Sequence, residues 1–320
     1  MTQLGHNPSE DLILVGGEAL YDLVLDDAGE LRAHPGGGPF NTARTVGRLQ
    51  QPVVYLGRLS TDRFGTALHR ILADDGVGLD TVVRTDEPTT LALAEIDADG
   101  AATYRFYAQG TSAPGLTPEA ALGALPADVG IVHVGTLGMT LEPMACALEA
   151  VVDELAGRAL VALDPNSRPA IITDRDGYLA RLRRLLGRSH VVKVSEEDLA
   201  WLDPERPPIA AARALLEHGT TLALVTRGAR GAAVVTPDEE VPVPAPAVDV
   251  VDTIGAGDAF GGGFLAWWRS HALGPDDLRR LEVVVEATRF ACLVAARTCE
   301  RPGASPPYLS ELESVGPPAP

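Results

Sequence analysis

Several features that define common protein classes are missing from this sequence. Lysine occurs once, as Lys193 in "VVKVS", so the Gly-Lys-Ser/Thr core of a Walker A loop is absent. The three cysteines (Cys146, Cys292 and Cys299) are few and odd in number, which fits a reduced cytoplasm better than a disulfide framework. There is no basic run and the net charge is −18, which argues against nucleic acid or an anionic membrane as a partner.

Long apolar runs are absent as well. No segment reaches the roughly 20 apolar residues of a membrane span, and the start, "MTQLGHNPSED", lacks the basic and apolar regions of a signal peptide. The 320 residues are 46% hydrophobic and 22% charged, a balance typical of globular proteins. We therefore expect a cytoplasmic protein that folds as a single α/β domain over residues 1–320.

Short β-branched runs alternate with amphipathic helical patterns along most of the chain. Helical patterns such as "FGTALHRILADDG" lie between several of these runs. This order predicts a doubly wound, mostly parallel sheet with helices on both faces. The predicted strands of this sheet are 12–15, 53–56, 131–134, 160–163, 191–194 and 222–226.

Two stretches, 19–33 and 90–107, break this rhythm. Each alternates apolar and polar residues around a turn rich in Asp and Gly, which predicts a β-hairpin with one polar face. We expect the two hairpins to form a small separate sheet, a β-lid of segments about 19–33 and 90–108, over the carboxyl ends of the main strands. A decorative edge of the fold would show the same pattern.

The late segment "VVDTIGAGDAFGGGF", residues 250–264, places Asp252 and Asp258 around a Gly-Ala-Gly turn. Aromatic residues recur at helical spacing after the turn, so we expect a helix that begins near residue 256. The free N–H groups at its start would bind an anion. An ordinary capping role for Asp258 also fits. A dinucleotide fingerprint does not, because it needs a small residue where Phe260 stands.

The early segment "HPGGGPFNTARTVGRL", residues 34–49, is a second glycine cluster. Three glycines and a proline precede Asn41, after which we expect a helix. Glycines allow a ligand to approach the backbone closely, and the Asn41 side chain can both donate and accept hydrogen bonds. The alternative is an ordinary turn in which Asn41 is the helix N-cap.

Together, the two clusters resemble the ribokinase-like (PfkB) family of carbohydrate kinases, and fructokinases in particular. The early Gly-Gly-x-x-x-Asn stands here as "GGGPFN" and the late Asp-Thr-x-Gly-Ala-Gly-Asp as "DTIGAGD". The resemblance spans about residues 10–310. It implies a ribokinase-like α/β fold with a β-lid, and ATP- and Mg²⁺-dependent phosphorylation of a primary hydroxyl of a small sugar.

The resemblance assigns roles to the late segment. Asp258 is implied to be the general base that accepts the hydroxyl proton. The backbone amides of Gly255, Ala256 and Gly257 are implied to form the anion hole for the γ-phosphate. Asp252 is implied to face a monovalent cation such as K⁺, with capping or an ion pair with an arginine as the alternative.

Two further segments resemble the nucleotide side of the family. "KVSEED" resembles its Asn-x-x-Glu segment near Mg²⁺ and phosphate, with serine and aspartate in the two key positions, and "TRGARG" resembles its glycine turn. Lys193 would equally end a strand without touching phosphate. The implied nucleotide-binding residues are Lys193, Ser195, Asp198 (the nearest to Mg²⁺), Thr226, Gly228 and Gly231.

On the sugar side, the resemblance implies a pocket formed by Asp22, Gly37, Gly38, Asn41, Phe106 and Arg168. Acid-sugar kinases tend to carry Tyr-x-Arg on the lid strand, whereas this chain has Phe106 and Ala108 in those places. The missing arginine removes a charge-assisted contact with a substrate carboxylate. We therefore expect a neutral sugar, fructose, unless Arg105 or Arg168 takes over that contact.

Other hypotheses stay open on the same fold. The acceptor would be 2-keto-3-deoxygluconate, ribose or a nucleoside if the lid segment binds differently. A sugar- or nucleotide-binding regulator without activity is a third class, against which the intact Asp258 and the turn 255–257 argue. The lid hairpins could also pair between subunits and form a homodimer.

Overall fold

The computed structural model describes residues 12–25, 29–96 and 102–313. The strands are β1 (Leu12–Gly16), β2 (Leu20–Leu25), β3 (Leu31–Gly36), β4 (Val53–Leu56), β5 (Arg58–Ser60), β6 (Val83–Thr85), β7 (Leu91–Ile96), β8 (Ala102–Tyr107), β9 (Val129–Gly135), β10 (Leu160–Asp164), β11 (Val191–Ser195), β12 (Leu222–Thr226), β13 (Ala232–Val235) and β14 (Glu240–Val243). The helices are α1 (Gly38–Arg48), α2 (Arg63–Asp74), α3 (Pro118–Gly123), α4 (Met144–Leu155), α5 (Arg175–Leu186), α6 (Glu196–Leu202), α7 (Pro208–Leu216), α8 (Ala256–Ser270), α9 (Leu281–Cys299) and α10 (Leu309–Glu313).

The central sheet contains eight strands in the order β14-β13-β12-β11-β10-β9-β1-β4. Pairing is parallel from β4 to β12 and antiparallel for β13 and β14. Each of the six predicted runs lies in this sheet, because continuous Val/Leu/Ile runs suit strands covered on both faces. One core cluster packs α4 to α7 against one face, and another packs α1, α2, α8 and α9 against the other. The prediction of a doubly wound α/β fold is confirmed.

The chain changes direction in this sheet between β1 and β9. From β1 it continues to β4 on one side, and from β9 it continues through β10, β11 and β12 on the other. Ligands of open α/β sheets bind at the carboxyl ends of the strands at such a switch point. The turns after β1, β9, β10 and β11 therefore frame the expected site.

The two predicted hairpins form a separate four-stranded sheet in the order β3-β2-β7-β8. Within each hairpin the strands are antiparallel, and β2 pairs with β7 in parallel. The turns at 26–28 and 97–101 lie outside the described residues. Strand β8 contacts the turn 169–171, which follows β10, so this sheet lies over the carboxyl edge of the central one.

Helix α8 lies between α1 and α9, and its three consecutive glycines have different surroundings. A Cβ on Gly262 would come within 2.9 Å of the Thr42 carbonyl oxygen in α1, and one on Gly263 within 3.1 Å of the Val294 side chain in α9. A Cβ on Gly261 would meet nothing within 4 Å. Close helix packing therefore explains why glycine stands at positions 262 and 263, but not at position 261.

No helix in the described ranges combines the length and the apolar character needed to cross a lipid bilayer.

Candidate active site

The Gly-Ala-Gly turn forms the start of α8, as predicted. Gly255 is the residue before the helix and has a φ of 75°, in the left-handed region that glycine adopts without strain. A Cβ at this position would also press against Ala304. Of the three amides predicted to form the anion hole, that of Ala256 donates a hydrogen bond to the Thr253 carbonyl at 3.2 Å.

Asp258 lies buried in the first turn of α8 and is held by Asn41. The Asn41 Nδ2 donates to Asp258 Oδ2 at 2.9 Å. Asn41 is not the N-cap of α1, because the helix begins at Gly38 and the cap position belongs to Gly37. Burial raises the pKa of Asp258 to about 6, while Lys193 and the Asn41 hydrogen bond oppose that rise.

Gly38 lies where the two glycine clusters meet. A Cβ at this position would come 2.5 Å from Thr136 Oγ1 and 3.3 Å from Asp258 Oδ1. The Asn166 Nδ2 donates to Thr136 Oγ1 at 3.2 Å, and both residues have positive φ, 38° for Asn166 and 53° for Thr136. Such strain is costly for non-glycine residues and concentrates at functional sites.

Glu18 is a site residue that the sequence interpretation missed. It is fully buried after β1, and its Oε1 accepts a hydrogen bond from the Gly38 amide at 3.0 Å. Its Oε2 has no partner among the described residues. Burial raises the pKa of Glu18 to about 8, and the nearby Asp258 carboxylate adds to the rise. Glu18 stands four residues before the predicted Asp22, in the segment "GEALYD", so an acidic residue close to a predicted sugar contact was the available signal.

The lid places Asp22 and Phe106 in one row. Asp22 lies in register with Ala92, and Ala92 with Phe106, so the three side chains share a face of the lid. Burial raises the pKa of Asp22 to about 6, and the Arg168 charge opposes this. Arg105 precedes Phe106 on the strand, so it belongs to the opposite face, and it is exposed.

Arg168 lies beside these carboxylates, as the sugar-side prediction requires. Its guanidinium donates to Asn166 Oδ1 at 2.6 Å and to the Asn166 carbonyl at 3.0 Å. Its positive charge favours the ionised forms of Asp22, Glu18 and Asp258. Of the sequence-predicted residues, Gly38, Asn41 and Arg168 thus lie near Asp258, and Asp22 lies near Arg168. The same region contains residues that were not predicted: Glu18, Thr136 and Asn166.

Lys193 lies under the Gly-Ala-Gly turn and forms a buried ion pair. Its Nζ donates to Asp164 Oδ2 at 2.7 Å, and a Cβ on Gly257 would come within 3.0 Å of that Nζ. Asp164 Oδ1 is buried without a partner among the described residues. Burial disfavours the ammonium, yet Asp164, Asp258 and Asp198 outweigh this and raise the pKa of Lys193.

Ser195 and Asp198 form a capping box at the start of α6. The Ser195 amide and hydroxyl donate to Asp198 Oδ2 at 3.1 and 2.6 Å, and the Ser167 amide donates to Oδ1 at 2.7 Å. Both carboxylate oxygens are thus occupied by protein donors. Direct binding of Mg²⁺ by Asp198 would compete with these bonds, so this carboxylate fits a water-mediated contact better than a direct one.

The predicted nucleotide-side turn lies next to α6. Thr226 ends β12 in register with Ser195, and the turn that follows brings the Gly231 carbonyl within 2.8 Å of the Arg227 amide. Gly228 and Gly231 have φ values of 57° and 84°, which glycine adopts without strain. These residues therefore share the sheet edge with Ser195 and Asp198.

Asp252 binds backbone amides and connects two loops. Its Oδ1 accepts from the Ile254 amide at 3.0 Å, and its Oδ2 accepts from the Gly303 amide at 2.8 Å. The loop before α8 is thereby tied to the loop after α9. Among the described residues, no ion pair joins Asp252 to an arginine.

Comparison with known proteins assigns the chain to a family. A family model for the pfkB family carbohydrate kinases matches residues 10–311. The chain is 38% identical over 259 residues to a fructokinase of Rhizobium leguminosarum bv. trifolii, covering 80% of this chain and 79% of that protein. The ATP-bound crystal structure of a Xylella fastidiosa fructokinase is similar with a TM-score of 0.86, at 31% identity and with 95% and 97% of the two chains covered.

A second solved structure has the same fold. The structure of a Vibrio cholerae O395 fructokinase with fructose, ADP and calcium ion has a TM-score of 0.82 at 26% identity, and covers 96% of this chain and 99% of its own. The chain therefore belongs to the pfkB family of carbohydrate kinases, which confirms the prediction of an ATP-dependent sugar kinase with a ribokinase-like fold.

Proposed function

We propose that this enzyme phosphorylates fructose at its primary hydroxyl, with fructose 6-phosphate and ADP as products. The observation that carries the proposal is the position of Asp258. It is buried at the N-terminus of α8, next to the predicted anion hole on one side and to the Gly37–Asn41 segment on the other. The similar fructokinases whose structures hold ATP, or fructose and ADP, support the same substrates.

Asp258 acts as the general base. An alcohol is a poor nucleophile until its proton is shared, and a positioned base is typically worth 10²–10⁴-fold in rate. With a pKa of about 6, Asp258 is ionised at neutral pH. It accepts the hydroxyl proton while the sugar oxygen bonds to the γ-phosphorus and the bond to the ADP oxygen breaks.

The backbone amides of Gly255, Ala256 and Gly257 stabilise the charge on the transferred group. They combine with the positive end of the α8 dipole, and such donors act through their preset geometry. For the Ala256 amide this role requires an exchange of the 3.2 Å bond to Thr253 for a phosphate oxygen. Lys193, Ser195, Thr226, Gly228 and Gly231 are proposed to border the nucleotide at the same sheet edge.

Bound metal ions would assist this step. Mg²⁺ prefers oxygen ligands and keeps most of its waters, so ATP phosphates would hold it, with Asp198 nearby. When bound, it neutralises charge on the phosphates. The described residues contain no cluster of three or more His, Cys, Asp or Glu side chains that could hold a metal ion. For K⁺, Asp252 and carbonyls near it are the proposed ligands.

The acceptor pocket favours a neutral polyhydroxy compound. Its polar groups are the carboxylates of Asp22 and Asp258 and the Asn41 amide, which suit hydroxyl groups. The carboxylates of Asp22 and Asp258 both lie near Arg168, so an acidic sugar would meet two negative charges for the one positive charge of Arg168. Arg105 lies on the other face of the lid and is exposed.

An acceptor panel tests this proposal. Purified protein with MgATP is assayed for ADP formation on fructose, glucose, ribose, 2-keto-3-deoxygluconate and a nucleoside. We expect the highest kcat/KM on fructose. Absence of fructose-dependent ADP formation would reject fructose as the substrate. Preference for 2-keto-3-deoxygluconate would favour a pocket in which Arg168 binds a substrate carboxylate.

A further inference from the structure

Lys193 is a buried cation whose location the proposed phosphate contact does not explain. It is the chain's one lysine, and every other fixed side-chain cation is an arginine. It lies on β11 directly beside Asp164, the last residue of β10, and its ammonium is within 2.7 Å of that carboxylate. An ammonium is compact, whereas a guanidinium is broad and planar. A lysine therefore fits the narrow space below Gly257.

The N-terminus of a helix is an unfavourable place for a cation. The positive end of the α8 dipole repels the Lys193 ammonium, and burial adds a desolvation cost. Three carboxylates, those of Asp164, Asp198 and Asp258, compensate for both effects. Lys193 therefore does not stabilise the start of α8, but it lies close to Asp258, which must be ionised before it can accept the hydroxyl proton.

We propose that Lys193 is a positioning residue for the general base. Held by Asp164 beneath the Gly255–Gly257 turn, its ammonium keeps Asp258 in the carboxylate form while an anionic phosphate binds beside it. The inference rests on the proposed function, in which Asp258 accepts the hydroxyl proton. Burial and an incoming phosphate both favour protonated Asp258, and a protonated Asp258 cannot act as a base.

The charged groups around Asp258 determine whether its pKa is raised or lowered. Lys193 on β11 is the strongest influence that opposes the burial of Asp258, and Arg168 acts in the same direction more weakly. Asp164 on β10 acts in the opposite direction. The other groups that face Lys193 are Asp198 and His133, and burial lowers the pKa of His133 to about 3, so this histidine is neutral.

Two variants with opposite expected effects test the proposal. Lys193→Met removes the ammonium and should raise the pKa of Asp258. Asp164→Asn removes the carboxylate that pairs with Lys193, so the ammonium interacts more strongly with Asp258. This variant should lower the pKa of Asp258. The direct readout is a carboxyl-¹³C aspartate NMR titration, in which the Asp258 signal is assigned by its loss in Asp258→Asn. The kinetic readout is the acid limb of kcat/KM against pH.

We expect the Asp258 midpoint to rise by about one pH unit or more in Lys193→Met and to fall in Asp164→Asn, with the acid limb moving likewise. Midpoints that stay at the wild-type value in both variants would overturn the proposal. A raised KM for ATP with an unchanged midpoint would also overturn it and make Lys193 a nucleotide contact. The NMR titration does not depend on turnover, so a wrong substrate is detected separately, as wild-type protein without sugar-dependent ADP formation.

Loss of one charge from a buried pair can prevent folding. The double variant Lys193→Met/Asp164→Asn removes both charges and keeps the test available. Because the influence of Lys193 on Asp258 exceeds that of Asp164, its midpoint should lie above the wild-type value. A double-variant midpoint at or below the wild-type value would contradict the proposal.

Discussion

The Asn41 side-chain amide donates to the Asp258 carboxylate at 2.9 Å, across 217 residues of sequence. This bond joins the first turns of α1 and α8, the two helices that the glycine clusters begin. The predicted sugar loop and the predicted phosphate loop are thus fixed relative to each other through the carboxylate of Asp258, the proposed base. Asn41 Oδ1 is buried without a partner among the described residues, so a sugar hydroxyl would satisfy it.

Loss of this bond should reduce turnover. We expect Asn41→Ala to lower kcat about 10- to 100-fold, because Asp258 loses both its orientation and a hydrogen bond that favours its ionised form. KM for ATP should change little. Steady-state kinetics with each substrate varied would check this, and thermal unfolding would show that the variant is folded. A variant with near-normal kcat would mean that Asn41 does not position the base.

Asp258→Asn should lose phosphorylation while it keeps substrate binding. The amide preserves shape but cannot accept a proton, so we expect kcat to fall by about 10²–10⁴-fold. Calorimetric titration with ATP and fructose separates binding from chemistry. Asp238→Asn, at an exposed position, is the matched control and should behave like wild type. Near-normal turnover in Asp258→Asn would show that the base is another group.

The buried carboxyl of Glu18 should make the stability of the protein depend on pH. Its pKa is raised from 4.5 to about 8 in the folded chain. The stabilisation that the protonated carboxyl gives the folded state is therefore fully present below about pH 4.5 and is lost as pH rises through about 8. Glu18→Gln removes this dependence. Relative to wild type, the variant should gain about 2–4 kcal/mol in the free energy of unfolding between pH 5 and pH 8.

Urea denaturation at the two pH values measures this difference. The exposed Glu239→Gln is the control, and its stability relative to wild type should not change with pH. A parallel pH dependence of wild type and Glu18→Gln would show that Glu18 is ionised in the folded protein at pH 5.

Adjacent glycines in α8 should respond oppositely to alanine. Gly261→Ala adds a methyl group with nothing within 4 Å and should stabilise the protein by about 0.5–1 kcal/mol, as for a glycine inside a helix. Gly262→Ala presses against the Thr42 carbonyl and should destabilise it by about 1–3 kcal/mol. Denaturation of the two variants side by side measures both. Equal effects would mean that α1 and α8 pack less closely than described.

The outer face of the lid predicts a homodimer. Leu31 and Tyr107 are 60% and 53% exposed, and the register places Leu23 and Leu93 on this same face. Exposed apolar faces of this kind mark interaction sites. Light scattering should give a dimer for wild type and a monomer for Leu93→Asp. A monomeric wild type, or a dimeric variant, would reject the lid as the interface.

The sequence allowed prediction of the sheet, the lid and the start of α8. Continuous Val/Leu runs and an N-terminal glycine turn are local signals, and the structure has the sheet, the four-stranded lid and a helix that begins at Ala256. The alternative in which Asn41 is the N-cap of α1 was wrong. The helix begins at Gly38, three residues before Asn41, because Pro39 is favourable in its first turn.

Local sequence signals could not identify which side chains contact the predicted site residues. The Lys193–Asp164 pair depends on the register of β10 and β11, and the bond from Gly38 to Glu18 depends on where the turns after β1 and β3 meet. These distances arise from tertiary packing, which spacing along the chain does not encode. Both carboxylates are close in sequence to predicted residues, Asp164 to Arg168 in "DPNSR" and Glu18 to Asp22 in "GEALYD".

The row of Asp22, Ala92 and Phe106 is built on lid strands, whereas Asp258 and Lys193 belong to the central sheet and its helices. Part of the proposed acceptor pocket is therefore carried by the lid, apart from the helices and strands that hold Asp258 and Lys193. A change at Ala92 or Phe106 can alter the size and polarity of the pocket without displacing the base. For enzyme engineering, this makes the inner lid row a place to change the acceptor preference of the kinase while Asp258 and its surroundings are retained.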